Sequence, residues 1–148
     1  MKSILITGAA SGIGAATAKK LASKEVSLTL TTKTNLEGLK SVKQFAENRG
    51  AKVNFICGDL SEKNFIEELV NLARSSTGNI DQFISNAGYA DKKEFGEYNN
   101  DDLNRSVQTM TISFSEIINL CIEDFKKSSC GRIIAVSYTH LRAHETRI

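Results

Sequence analysis

The chain has 148 residues, of which 41% are hydrophobic and 24% are charged, and its formal net charge is +2. This length predicts one domain, and the balanced composition excludes a disordered chain, a collagen-like chain and a polybasic nucleic-acid surface. The sequence has no apolar run long enough for a transmembrane helix and too short an N-terminal one for a secretory signal. The scattered cysteines Cys57, Cys121 and Cys130 are typical of free thiols in a reducing compartment. We therefore expect a cytoplasmic protein with no nucleic-acid or membrane partner.

Short apolar runs alternate with amphipathic stretches along the whole chain. The runs predict strands at residues 4–6, 26–32, 53–56, 80–84 and 132–136. Helical spacing predicts helices at residues 15–21, 36–46, 61–73 and 103–125. This βαβαβαβαβ order predicts an α/β fold with a doubly wound parallel sheet covered on both faces. We expect the apolar stripe from Leu103 to Phe125 to lie in the core and to face a dimer partner.

The turn between the first strand and the first helix is rich in glycine. It reads Thr7-Gly8-Ala9-Ala10-Ser11-Gly12-Ile13-Gly14. Gly8 permits a tight turn, and Gly12 and Gly14 let a bulky group approach the backbone. The start of the following helix offers free N–H groups and a positive dipole end, which suit a pyrophosphate. The ligand crevice of such a sheet lies at the carboxyl ends of its strands.

Residues 7–14 match the pattern TGxxxGxG and, with two further motifs, resemble the short-chain dehydrogenase/reductase family. In that family the pair matched by Asp59-Leu60 contacts the adenine, and the motif matched by Asn86-Ala87-Gly88 lines the cofactor crevice. The resemblance covers residues 1–137 and implies a Rossmann-like domain that binds a nicotinamide dinucleotide. The implied cofactor-binding residues are Gly8, Ser11, Gly12, Ile13, Gly14, Thr31, Lys33, Asp59, Leu60, Asn86, Ala87 and Gly88.

Two of these motifs also have ordinary structural explanations. Asp59 has an alternative role as a cap for the helix that we expect to begin near Ser61. The residues Asn86-Ala87-Gly88 are also typical of a plain turn. The order of the three motifs, each at the end of a strand, favours the cofactor interpretation.

The end of the second strand bears on the choice of nicotinamide. In the family an acidic residue there holds the ribose 2′-hydroxyl, whereas a basic residue nearby favours a 2′-phosphate. The corresponding stretch, residues 30–35, has no carboxylate. Lys33 can form an ion pair with a phosphate, and the Thr31 hydroxyl can donate a hydrogen bond to one. The alternative is that Lys33 is an ordinary solvated surface lysine. We therefore expect NADP as the cofactor, with NAD as the alternative.

The catalytic groups of the family are not found at their places in this chain. The resemblance implies an asparagine in the fourth helix, a serine after the fifth strand and a Tyr-x-x-x-Lys pair on a later helix. The asparagine place holds Met110, or Thr109 with a shift of one residue, and the serine place holds Tyr138. We expect no Tyr-x-x-x-Lys pair anywhere in the chain. We therefore expect no catalytic residue in this chain.

The last eleven residues, 138–148, differ in composition from the rest. They contain no lysine but both histidines of the chain. The spacing of Tyr138 and Arg142 imitates the catalytic pair, but Tyr138 directly abuts the strand and arginine does not replace lysine. His140 and His144 with Glu145 are too few ligands on a terminal segment for a zinc site. We expect no metal.

Residues 137–146 resemble translated sequencing-adapter read-through. We therefore expect an incomplete dinucleotide-binding domain at residues 1–137, truncated after its fifth strand, and a non-native or disordered tail at residues 138–148. The fifth strand would then be an exposed apolar edge. The missing portion would hold the Tyr-x-x-x-Lys helix and much of a homo-oligomer interface.

The resemblance implies an oxidoreductase that transfers a hydride between NADP(H) and a small-molecule carbonyl/alcohol substrate. A 3-oxoacyl thioester is a candidate substrate by resemblance to acyl-carrier-protein reductases. We expect this chain to carry only the cofactor-binding part and to be inactive. The alternative is a non-catalytic dinucleotide-binding or sensing protein, which the methionine at position 110 favours.

Overall fold

The computed structural model describes residues 1–88, 93–94 and 96–137. Its strands are β1 (Lys2–Thr7), β2 (Val26–Thr32), β3 (Lys52–Cys57), β4 (Gln82–Ser85) and β5 (Arg132–Ala135). Its helices are α1 (Gly12–Leu21), α2 (Leu36–Asn48), α3 (Lys63–Ser75), α4 (Asn100–Val107) and α5 (Ser113–Lys127). A π-helical segment, Gln108–Ile112, joins α4 to α5.

The strands form one parallel sheet in the order β3-β2-β1-β4-β5, which confirms the predicted doubly wound architecture. The chain first builds outward from β1 to β3 and then returns to place β4 on the other side of β1. The strand order therefore reverses beside β1. A ligand crevice in such a sheet opens at this switch point, outside the carboxyl ends of the strands.

The hydrophobic core lies on both faces of the sheet, as predicted. Successive side chains of a strand point to opposite faces, so Ile4 and Ile6 join one cluster and Leu5 joins the other. The first cluster includes residues of α1 and α2, and the second includes residues of α3 and α5. The exception is β5, where Ile133 and Ile134 are 41% and 46% exposed, in line with the exposed apolar edge expected for the fifth strand. β5 is an edge strand of the sheet, as expected.

A buried carboxylate joins the amino ends of the central strands. Asp81, which interrupts the apolar run of the predicted fourth strand, lies just before β4. It accepts hydrogen bonds from the Ser3 amide at 2.8 Å, the Ser128 hydroxyl at 2.6 Å and the Asn79 side chain at 2.9 Å. Burial alone would raise its pKa, but these three donors outweigh burial and lower it. Asp81 therefore stabilises the edge of the sheet opposite the crevice.

The predicted long helix is interrupted and only partly covered. Ile117, Cys121 and Phe125 of α5 are buried, but Leu103 and Val107 of α4 are 55% and 50% exposed. The prediction that the whole stripe lies in the core is therefore wrong for its first half. The expectation that this face meets a dimer partner stays a prediction.

The coverage of α5 follows from its contact with α3. The Arg74 side chain donates to the Asp124 carboxylate at 2.8 Å and to the Leu120 carbonyl at 2.7 Å. Among the described residues, α4 has no comparable packing with α3.

The cysteines are free thiols, as predicted, and burial raises the pKa of Cys121 to about 12. A thiol with so high a pKa stays protonated and behaves as a small apolar group. Within the described residues, no helix combines the length and the apolar character needed to cross a membrane.

Candidate functional site

Four of the predicted site residues lie just after four neighbouring strands. Gly8 directly follows β1, Lys33 directly follows β2 and Asn86 directly follows β4. Asp59 lies two residues beyond Cys57, the last residue of β3. The structure joins them in two pairs, Asn86 with Gly8 and Lys33 with Asp59. These pairs lie at the carboxyl edge of the sheet, where the strand order reverses.

The first helix begins with an accessible positive end. Gly12 has a φ of +52°, a left-handed conformation that glycine adopts without strain. A Cβ added to it would meet no atom within 4 Å, so the space beside this backbone is open. The Ser11 side chain makes no capping hydrogen bond, and the first turn of α1 carries no acidic residue. The first-turn N–H groups, which have no acceptor within the helix, are thus accessible to an anion.

Gly14 and Asn86 hold this helix start against the turn after β1. The Asn86 amide nitrogen Nδ2 donates to the Thr7 carbonyl at 3.2 Å and to the Gly8 carbonyl at 3.0 Å. The Thr7 hydroxyl accepts the backbone N–H groups of Asn86 and Ala87, each at 3.1 Å. A Cβ on Gly14 would overlap the Gly8 carbonyl oxygen. Asn86 therefore clamps β4 to the glycine turn.

The Asn86→Asp substitution tests this clamp, because aspartate has the same shape but no N–H donor. A carboxylate would face two carbonyl oxygens, so we expect the free energy of unfolding to fall by about 2–3 kcal/mol. The loss should shrink at acidic pH, since the neutral carboxyl regains one donor. Chemical denaturation at several pH values measures both effects.

Asn35→Asp is the matched control for that substitution. The Asn35 oxygen Oδ1 accepts the Gly38 N–H at 3.0 Å at the start of α2, and an aspartate keeps this acceptor. A negative charge is also favourable at a helix N-terminus. We expect this variant to be as stable as the wild type or more stable. Equal losses in the two variants would contradict the assigned role of Asn86.

Lys33 and Asp59 form an ion pair across the ends of β2 and β3. The Lys33 Nζ lies 2.5 Å from the Asp59 Oδ2, with the lysine side chain 59% exposed and the aspartate side chain 23% exposed. The Asp59 Oδ1 accepts the N–H and the hydroxyl of Ser61 at 2.9 Å and 2.8 Å. The hydrogen bond from Lys33 is the largest cause that lowers the pKa of Asp59 to about 2. Asp59 shapes the turn before α3, which begins at Lys63, two residues after Ser61, and the N-cap residue of this helix is Glu62 and not Asp59.

The other predicted site residues divide between the surface and the interior. Ser11, Ile13 and Gly88 are exposed, and their contacts with a cofactor stay predictions. Thr31 is buried, and its hydroxyl has no partner among the described residues. Leu60 is also buried, in the cluster that includes α3. Roles for Thr31 and Leu60 in cofactor binding stay predictions.

The π-helical segment Gln108–Ile112 was not expected from the sequence. It contains Met110, the residue at the asparagine place, whose side chain is partly exposed. The Ser113 N–H donates to the Gln108 carbonyl in the wider π pattern, and the Ser113 hydroxyl donates to the Thr109 carbonyl at 2.6 Å. Such segments often occur at functional sites, although the regular apolar spacing of the helix gives no sign of one.

One Tyr-x-x-x-Lys spacing does occur in the chain, at Tyr89 and Lys93, directly after the Asn86-Ala87-Gly88 motif. The expectation that the chain contains no such spacing is therefore wrong. Lys93 forms an ion pair with the buried Asp102 at 2.5 Å, a contact that ties the loop to α4. Tyr89 lies outside the described residues. The spacing alone therefore assigns no catalytic role.

The described part of the chain contains no cluster of three or more metal-ligating side chains. The tail features considered above, Tyr138, Arg142, His140, His144 and Glu145, lie outside the described residues. The tail boundary itself stays a prediction.

Comparison with known proteins identifies the family. The model of the short chain dehydrogenase family matches residues 2–144. The fatty acyl-CoA reductase of Acinetobacter baylyi is 30% identical over 99% of this chain and 50% of that protein. The NADPH-dependent reductase BacG of Bacillus subtilis is 28% identical over 91% of this chain and 52% of that protein.

A solved structure agrees with this assignment. A variant of the short-chain dehydrogenase/reductase of Serratia marcescens superposes with a TM-score of 0.84 at 28% identity, covering 93% of this chain and 56% of that one. The chain thus spans about half the length of the relatives that it matches. Its sheet order, its glycine turn and the family match over nearly its whole length lead to one conclusion: the chain belongs to the short-chain dehydrogenase family.

Proposed function

We propose that this chain forms the dinucleotide-binding part of an NADPH-dependent reductase. The observation that carries the proposal is the start of α1, where open space beside Gly12 adjoins uncapped helix N–H groups. A pyrophosphate fits this position because it needs N–H donors, a positive field and no obstructing Cβ.

The remaining residues of the crevice suit the two ends of a dinucleotide. We propose that Asp59 and Lys33, at the ends of β3 and β2, hold the adenosine end. Asn86, Ala87 and Gly88 then line the path toward the nicotinamide. When bound, the cofactor supplies a hydride for a carbonyl/alcohol substrate, and the protein's own residues bind and orient it.

NADPH is proposed over NADH because of the charges near the ribose. Residues 30–35 contain one lysine and no carboxylate, so a 2′-phosphate meets a cation directly after β2. The name of the Bacillus subtilis relative, an NADPH-dependent reductase, is in keeping with this choice. NAD remains the alternative cofactor.

Gly12→Ala tests the proposed phosphate position. The new methyl group would fill the open space, so we expect NADPH affinity to fall by about 30–100-fold, measured by fluorescence titration. The left-handed backbone should also cost about 1–2 kcal/mol of stability.

Gly78→Ala is the matched control, since Gly78 has a φ of +82° and open space around it but lies between α3 and β4. It should show a similar loss of stability with unchanged NADPH affinity. If both variants bound NADPH as the wild type does, the phosphate position would be wrong.

The reaction of the whole protein is proposed at the level of its class. We propose a hydride transfer to a small carbonyl compound, with a 3-oxoacyl thioester as one candidate. We also propose that residues 1–137 bind the cofactor without completing turnover, and that the full-length protein is a homo-oligomer. The 148-residue chain should therefore bind NADPH without oxidising it in the presence of carbonyl substrates. Steady oxidation would contradict the proposed inactivity.

A second candidate function is a non-catalytic dinucleotide-binding or sensing protein. It is favoured by Met110, because the amide of the family's asparagine is replaced there by an apolar side chain. The Met110→Asn variant of the full-length protein separates the two candidates, because a reductase would gain turnover from the restored amide. A sensing protein would remain without turnover in both forms.

A further inference from the structure

We propose that Asp59 limits the cofactor selectivity of this site by neutralising Lys33. The inference rests on the proposed function, because it concerns the ribose 2′-phosphate of the same dinucleotide. Its starting point is the ion pair between Lys33 Nζ and Asp59 Oδ2 at 2.5 Å.

The carboxylate is the fixed member of this pair. Its Oδ1 is held by the N–H and the hydroxyl of Ser61, so only Oδ2 remains directed at the lysine. The Lys33 side chain is long and 59% exposed, and it reaches the carboxylate from the neighbouring strand. A phosphate that binds Lys33 must therefore do so beside a carboxylate that cannot move away without breaking the turn before α3.

Electrostatics then distinguishes the two nucleotides. The 2′-phosphate of NADPH would gain an attraction from Lys33 but meet a repulsion from Asp59, because the ammonium group that binds it also contacts the carboxylate. NADH carries a neutral hydroxyl at that position, so the charges of Lys33 and Asp59 have little effect on its affinity. In a largely solvated site, the repulsion between two neighbouring like charges weakens binding by about five- to tenfold. Asp59 thus keeps the preference for NADPH small, although residues 30–35 offer only a cation.

Asp59→Asn removes the charge with little change of shape. An asparagine Oδ1 can still accept the Ser61 N–H, as the Asn35 Oδ1 accepts the Gly38 N–H in the same chain. Dissociation constants for NADPH and NADH are measured by fluorescence titration of the 148-residue chain. We expect the ratio of the NADH to the NADPH dissociation constant to rise by about five- to tenfold. A lost adenine contact weakens both nucleotides alike and cancels in this ratio.

Two further variants define the origin of any change. Lys33→Met should lower the ratio, because it removes the cation that favours the phosphate. Glu123→Gln breaks a comparable ion pair, with Lys126 at 2.9 Å near the end of α5, and should leave the ratio unchanged.

Each other outcome has a definite meaning. If the ratio of the two dissociation constants is unchanged in Asp59→Asn, Asp59 acts only in adenine binding or in the turn before α3. If the ratio is lower, Asp59 positions Lys33 for the phosphate. Either result overturns this inference while the proposed function stands. If the wild-type chain bound neither nucleotide, the proposed function would be wrong, and the inference, which depends on it, would be wrong as well.

Discussion

Gly14→Ala is expected to weaken NADPH binding by about 100-fold and to lower the free energy of unfolding by about 2–3 kcal/mol. The added Cβ would overlap the Gly8 carbonyl oxygen and lie 2.5 Å from the Asn86 Nδ2. These two groups are hydrogen-bonded to each other at 3.0 Å, so the methyl group would enter the clamp between β4 and the glycine turn. The start of α1 must then move away from the crevice, and the phosphate position moves with it.

Gly131→Ala provides the control for crowding alone. A Cβ there would lie 2.6 Å from the Phe125 carbonyl oxygen, a similar overlap with backbone, but between α5 and β5. Denaturation curves should show comparable losses of stability for the two variants. Titration of the folded proteins should show weaker NADPH binding for Gly14→Ala alone. A Gly14→Ala variant with wild-type affinity would mean that the helix start does not position the dinucleotide.

Much of this site was predictable because its residues are adjacent in sequence to strand ends. The limits of β2 were predicted at both ends, since residues 26–32 are rich in β-branched residues. The Gly8–Gly14 turn was predictable because a predicted strand precedes it and a predicted helix follows it. The ion pair between Lys33 and Asp59 was not predictable in the same way. It depends on β2 and β3 being neighbours and on the turn at Ser61, which alternating periodicity does not specify.

The apolar stripe of α4 and α5 shows a second limit of sequence analysis. Spacing identifies which residues share a helix face, but it contains no information on what covers that face. Ile117 is buried because α3 packs against α5, whereas Leu103 meets no such partner among the described residues. The π-helical segment between the two helices was missed because one extra residue per turn scarcely changes the apolar pattern.

Phe83→Ala is expected to lower the free energy of unfolding by about 3–5 kcal/mol, the cost of a cavity in a packed core. Phe83 is fully buried in β4, and its ring stacks on Phe114 with centroids 5.8 Å apart. Among the described residues, β5 pairs with β4 and with no other strand. This loss is a large part of the roughly 5–15 kcal/mol by which small domains are stable. It should lower the melting temperature by about 10–20 °C.

Phe45→Ala is the control that separates packing from the loss of an aromatic ring. Phe45 lies on α2 and is 41% exposed. Among the described residues, the cations over its ring are those of Lys19 and Arg49. Its removal should cost less than about 1 kcal/mol, since exposed cation–π contacts are weak. Equal losses for the two variants would mean that the face of the sheet under α3 and α5 is loosely packed. In that case Asn86, three residues beyond Phe83, would lack the rigid support that its clamp on the glycine turn requires.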